Sequence, residues 1–153
     1  MTPERYLEVQ FIKHIRKGYV TNAELSRKGT DVLLPHMSPD ERCIVTVHDK
    51  QRRQLRFTNH RLLLQAQSRV TTLFEYEAVS HVHWMFKEFW DRLRTSPVPD
   101  EEIARTKTNH FDRLEVELKS GSSGVVALEG LDQSYLPIFH FLQFLTRTRR
   151  SSS

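Results

Sequence analysis

Five short segments between Arg42 and Trp84, reading CIVTV, QLRFT, RLLLQ, RVTTLFEYE and VSHVHW, alternate apolar and polar side chains and are separated by polar or basic turns. A period of two sends successive side chains to opposite faces of a strand, so this stretch predicts a meander of short antiparallel strands. Cys43, Val45 and Val47 share one face, as do Leu55 and Phe57, then Leu62 and Leu64, then Val70, Thr72, Phe74 and Tyr76. In the fifth segment Ser80, Val82 and Trp84 oppose Val79, His81 and His83. A sheet with one face so apolar must curl on itself or be covered.

The flanks supply covers. Thr2 and Pro3 form a helix start, a side-chain cap followed by a residue whose missing N–H costs nothing in the first turn. A helix over about 3–17 follows, with Leu7, Phe11 and Ile15 on one face, Lys13, Arg16 and Lys17 near the negative end of its dipole, and Gly18 to end it. Its apolar stripe predicts packing against the rest of the chain or against a second copy. Thr21 and Glu24 have capping-box spacing, which predicts a short second helix over 22–28 stopped by Gly29, and 31–34 reads as a further turn. Pro35 and Pro39 then break the chain. Residues 1–38 therefore read as an N-terminal helical extension to a β-rich domain over 39–147.

Within that domain, 85–94 reads as a helical or irregular packing segment and 95–110 as a long mobile insertion, so the interruption spans about 85–110. Leu114, Val116 and Leu118 alternate with Arg113, Glu115 and Glu117, and a Ser-Gly turn joins them to Val125–Leu128 as a hairpin. Ser134 is placed to cap a last helix whose Ile138, Phe139, Phe141, Leu142, Phe144 and Leu145 suit the open end of a bent sheet. Residues 148–153 read as a frayed tail. The predicted class is α+β, a strongly bent antiparallel sheet of about seven strands capped by a C-terminal helix.

Composition narrows the chemistry. At 153 residues the chain is one domain that can bury roughly 70% of its unfolded surface. A single cysteine, Cys43, excludes an internal disulfide and a thiolate metal cluster, which fits a reducing, cytoplasmic setting. No apolar run approaches the roughly 18 residues of a spanning helix, and neither a signal peptide nor a membrane anchor is read, leaving peripheral association as the route to a membrane. Arg42, Lys50, Arg52, Arg53, Arg56, Arg61 and Arg69 stand against one acid, Asp49, in the 42–69 stretch. Lys50, Arg52, Arg53 and Arg56 are the candidate anionic-ligand residues. Such a surplus attracts phosphate-bearing or acidic partners, and it also serves solubility.

Seven strands followed by one apolar helix is the order of the pleckstrin-homology superfold. The stretches LLPHMSPDERCIVTV, LRFTNHRLLL and FEYEAVSHV resemble the bacterial PH-like and GRAM-like families, in which an acidic turn precedes the first strand and a Thr-Asn/Asp-x-Arg-Leu element opens the third. Here that element is Thr58, Asn59, His60, Arg61 and Leu62, and the resemblance covers about 33–147. It implies a binding module without enzymatic activity or cofactor. Phosphoinositide-binding members use a Lys near the end of the first strand and a basic-x-basic pair in the second. Arg53 and Arg56 are three apart and fall on opposite faces of a regular strand, which argues against specific inositide recognition. General attraction to an anionic surface is easier, at about 1 kcal/mol per basic residue. The resemblance also implies self-association through sheet edges, or a protein partner.

Two alternatives come from the residues. Lys50 to Arg61 interleaves basic residues with Phe57 and His60, a pattern that suits single-stranded nucleic acid, although Phe57 reads inward and no paired stacking aromatics occur. His81 and His83 are two apart on one strand, roughly 7 Å, a separation that ligands of one metal can bridge and the seed of a small metal-dependent enzyme. No third ligand is identifiable from sequence. No nucleophile elbow, phosphate-cradling glycine loop or HExxH helix is present, so no catalytic residue is assigned.

Overall fold

The first four alternating segments pair in the order in which they occur along the chain. The computed structural model describes residues 2–26, 37–84, 95, 97, 99–101, 113–121 and 124–150. Within them, β1 (Ala23–Leu25), β2 (Cys43–His48), β3 (Gln54–Thr58), β4 (Arg61–Ala66) and β5 (Arg69–Glu75) form one antiparallel sheet in that order. A single 3₁₀ turn over Tyr76–Ala78 leads to a second antiparallel sheet of β6 (Val79–Trp84), β7 (Leu114–Leu118) and β8 (Val125–Leu128). Helix α1 (Pro3–Arg16) comes from one end of the chain and α2 (Tyr135–Arg150) from the other.

The class is therefore α+β, but the expected sheet of about seven strands is two sheets, and an eighth strand joins them. That strand is β1. The capping-box spacing of Thr21 and Glu24 predicts a helix over 22–28; instead Ala23, Glu24 and Leu25 pair with Val47, Thr46 and Val45. The Ser26 N–H donates to Ile44 O and the His48 N–H to Asn22 O, at 2.8 and 2.7 Å. Pairing with the open edge of β2 outweighs a cap on a helix too short to be stable alone. The turn expected over 31–34, the packing segment 85–94, most of the 95–110 insertion and residues 151–153 lie outside the described residues.

The strict period of two fails at three irregularities. One lies between Cys43 and Val45, so both Ile44 and Val45 reach the core while Cys43, buried, sits near Thr46 Oγ1 at 3.8 Å. The second, between Leu62 and Leu63, falls opposite Thr72 and Phe74, leaving Phe74 buried and Thr72 exposed. The third, between Val79 and His81, buries Val79 completely while His81 and His83 remain exposed. An extra residue re-aims every side chain beyond it, which sequence alternation cannot register.

The helices form as their ends dictate. The Thr2 side chain accepts from the Arg5 N–H, and at the other end the Gly18 and Tyr19 N–H groups donate to Ile15 O and His14 O with Gly18 at φ +74°. This is a Schellman turn, which glycine enters without a Cβ penalty. The stripe of α1 packs on its own chain: Leu7 and Phe11 are fully buried, and Tyr6 stacks on Phe144 of α2 with centroids 4.3 Å apart. Phe57 lies between Phe11 and Phe141, and Phe141 meets Tyr76 edge-on, so one aromatic chain links α1, the first sheet, the 3₁₀ turn and α2. Ser134 does not act as the expected cap. Its hydroxyl donates to Leu131 O and accepts from Asn22 Nδ2, fastening the residues before β1 to the start of α2.

Candidate anion-binding site

The turn between β2 and β3 is built around Asp49. Its Oδ1 accepts from the Gln51 and Arg53 N–H groups at 2.9 and 2.8 Å, and its Oδ2 accepts from Arg53 Nε at 2.7 Å. The side chain is only 1% exposed, and three donors, one of them charged, keep a buried carboxylate in place. The Asp49 N–H donates to Arg53 O, closing the turn with Arg52 at φ +62°, a left-handed conformation that costs a non-glycine residue about 1 kcal/mol. Gly130, in the connection from β8 to α2, lies against this turn. A Cβ there would meet Asp49 Cβ and Lys50 N at 3.3 Å, and its φ of +71° also suits glycine.

A hollow of about 680 Å³ opens between this turn and the β4–β5 turn, where Gln67 is left-handed at φ +57°. Arg52, Arg53 and Arg69 line it with Gln51, Gln67 and Thr71, over a floor of Leu64 and Ala66. Among its lining residues none is acidic. Arg52 and Arg69 are exposed and Arg53 half-buried. With Nε held by Asp49, no other side chain among the described residues takes the terminal nitrogens of Arg53.

The four residues singled out from sequence therefore divide. Lys50, Arg52 and Arg53 belong to one turn. Arg56 lies elsewhere, its guanidinium spent on Gln65 Oε1, Gln54 Oε1 and Thr46 Oγ1 at 2.7, 2.6 and 3.4 Å. Arg69, counted in the basic stretch but not in the candidate set, takes its place in the hollow. The signal that could have found it is hairpin arithmetic: β2–β3 and β4–β5 are alternate turns of one meander, so both lie at the same end of the sheet.

The opposite end has the other charge. A hollow of about 350 Å³ there is lined by Ser38, Glu41, His60, Arg61, Glu75 and Glu77. Arg61 holds Glu41 through one edge of its guanidinium, Nε donating to Oε2 at 2.9 Å and Nη2 to Oε1 at 3.0 Å, and Thr58 Oγ1 donates to Oε2 at 2.8 Å. Burial works to raise the Glu41 pKa, but the hydrogen bonds from Arg61 and Thr58, the Arg61 charge and the backbone contact with Ser38 bring it below the ordinary 4.5. Asn59 accepts from the Arg42 N–H and donates to Asp40 O. The acidic turn and the Thr-Asn-His-Arg-Leu element are thus partners in one structural network.

His81 and His83 project from the exposed face of β6 with parallel rings 6.0 Å apart. His83 Nε2 lies 3.3 Å from Glu117 Oε2, and His81 Nδ1 lies 3.4 Å from Ser80 Oγ. Among the described residues no three His, Cys, Asp or Glu side chains come together in a metal-holding arrangement. No helix among them is long and apolar enough to cross a membrane. Comparison with protein-family models, with curated proteins and with solved structures finds no match to this chain.

Proposed function

We propose that this chain is a non-enzymatic PH-like interaction and assembly module that engages anionic surfaces through Arg52, Arg53 and Arg69. The order β2 to β5, then β6 to β8, then an apolar C-terminal helix supports the PH-like reading, with α1 and β1 as additions to it. The observation that carries the binding proposal is the hollow itself, where three arginines from two turns meet with no lining acid. At about 1 kcal/mol for each basic residue near an anionic surface, three supply about 3 kcal/mol, or about two decades of affinity. A lone copy binds weakly, and assembly multiplies the contact. The nucleic-acid alternative has less support, because Phe57 is fully buried and offers no stacking face.

The test is flotation with phosphatidylcholine vesicles, with and without phosphatidylserine, at low and physiological salt, a single-stranded oligonucleotide competing and oligomer size recorded on the same sample. Salt-sensitive binding to the anionic vesicles, lost in Arg52→Glu/Arg69→Glu, is the expected result. Equal binding by that variant, or none by the unaltered chain, removes the proposal. Preferential retention by the oligonucleotide replaces it with the nucleic-acid reading.

A further inference from the structure

We infer that Asp49 is the positioning residue of this anion site, holding Arg53 by one nitrogen so that its other two face the hollow as a ready-made fork. The inference rests on the proposed function and deepens it. For attraction alone Asp49 is a handicap, since its carboxylate lies 2.7 Å from Arg53 Nε and offsets part of the positive charge of the site. Its side chain is also almost completely buried, where a carboxylate is costly unless it is well paired.

What the carboxylate contributes is geometry. Guanidinium donors lie in a fixed planar fork, so pinning Nε sets the direction of Nη1 and Nη2. The same carboxylate holds the Gln51 and Arg53 N–H groups, so turn and side chain are fixed by one group. That turn places Arg52 at φ +62° and brings its side chain to the same hollow, and Gly130 backs the turn so closely that a Cβ there would sit 3.3 Å from Asp49 Cβ and Lys50 N. An arginine ordered before its ligand arrives loses less freedom on binding. The ligand chemistry that matches such a fork is an oxyanion able to accept two parallel hydrogen bonds, as a terminal phosphate group does.

Asp49→Asn separates this inference from simple electrostatics, because the two require opposite signs. The amide oxygen still accepts from the turn N–H groups, while the ionic hold on Arg53 is lost and the chain gains one positive charge. On vesicles of phosphatidylcholine with phosphatidic acid, positioning requires about tenfold weaker binding, the scale of one charge-assisted hydrogen bond. Attraction alone requires equal or tighter binding. Arg53→Lys keeps the charge and removes the fork; positioning requires a similar loss with the salt dependence retained, whereas attraction requires no change. Thermal unfolding of each variant is measured alongside, and if Asp49→Asn does not fold, Arg53→Lys decides.

Unchanged binding by Arg53→Lys overturns the inference, as does undiminished binding by folded Asp49→Asn. Either result, with binding still lost in Arg52→Glu/Arg69→Glu, leaves the proposed function standing. Failure of the unaltered chain to bind removes both. Inorganic pyrophosphate as competitor identifies the source of the oxyanion: competition supports a soluble phosphate ligand on the Asp49-held fork, and its absence beside intact vesicle binding supports a lipid headgroup on the same fork.

Discussion

Glu41 gives the fold an acid-sensitive contact at the scale of a single residue. Its side chain is 1% exposed and bound by Arg61, whose own side chain is 15% exposed. The carboxyl titrates below its ordinary 4.5 in the folded chain, so the unfolded chain binds the proton more readily. The stabilisation is complete above pH 4.5 and is lost as the pH falls from there through the folded pKa. Glu41→Gln is expected to cost about 3 kcal/mol near neutral pH, because it removes the buried carboxylate that Arg61 holds by two charge-assisted hydrogen bonds. It is also expected to flatten the acid limb of the stability curve. Urea unfolding at pH 7 and below pH 4.5 checks both; equal losses at the two pH values would contradict this assignment. The pairing is only half legible in the sequence. The acidic turn and the Thr-Asn-His-Arg-Leu element could be seen in the sequence, but not that they bond to each other, since Glu41 and Arg61 meet only once β2, β3 and β4 have folded together.

Among the elements, α1 packs on both the first sheet and α2. Its stripe was readable because Leu7, Phe11 and Ile15 recur at one helical spacing, and its limits because Thr2 and Gly18 are distinctive end signals. The partner of the stripe was not readable, since an apolar helix face is equally content against its own chain or a second copy. The stacking of Tyr6 on Phe144 and the contact of Phe11 with Phe57 make it an internal face. Phe11→Ala is expected to destabilise the fold by about 3–5 kcal/mol, as a large cavity in a close-packed core does, with the loss read from equilibrium denaturation. Tyr19, exposed and outside the helix, serves as the contrasting position: Tyr19→Ala should shift stability by less than about 0.5 kcal/mol. The second short helix failed as an expectation for a related reason. A capping box is a local signal, and an unpaired strand edge a few residues away in space is a stronger claim on the same backbone.

For the whole molecule, the consequence is that the N-terminal residues share the core of the rest. Leu7, Phe11 and Val20 lie in one apolar cluster with Phe57, Val116 and Phe141. Thr21 bonds Gln133, and Asn22 bonds Leu131 and Ser134, so the start of β1 is tied to the start of α2. A chain lacking residues 1–20 is therefore expected to lose cooperative thermal unfolding, with a sloping circular-dichroism melt and binding of a hydrophobic dye. A sharp transition in the truncated chain would show a core that closes without α1. The molecule also carries its charges at opposite ends of the first sheet, arginines around the Asp49 turn and carboxylates around Glu41.

The sequence by itself determined the α+β class, seven of the strands, both terminal helices and the apolar residues that fill most of the core, because those depend on periodicity and end signals within a few residues. The tertiary structure decided the division into two sheets, the strand at Ala23–Leu25, the three irregularities in strand period, and which arginines face one hollow. Each of these depends on contacts between residues far apart in the chain. Edge pairing, a one-residue bulge and the meeting of two turns have no local period to announce them, and Arg69 instead of Arg56 lines the hollow for that reason.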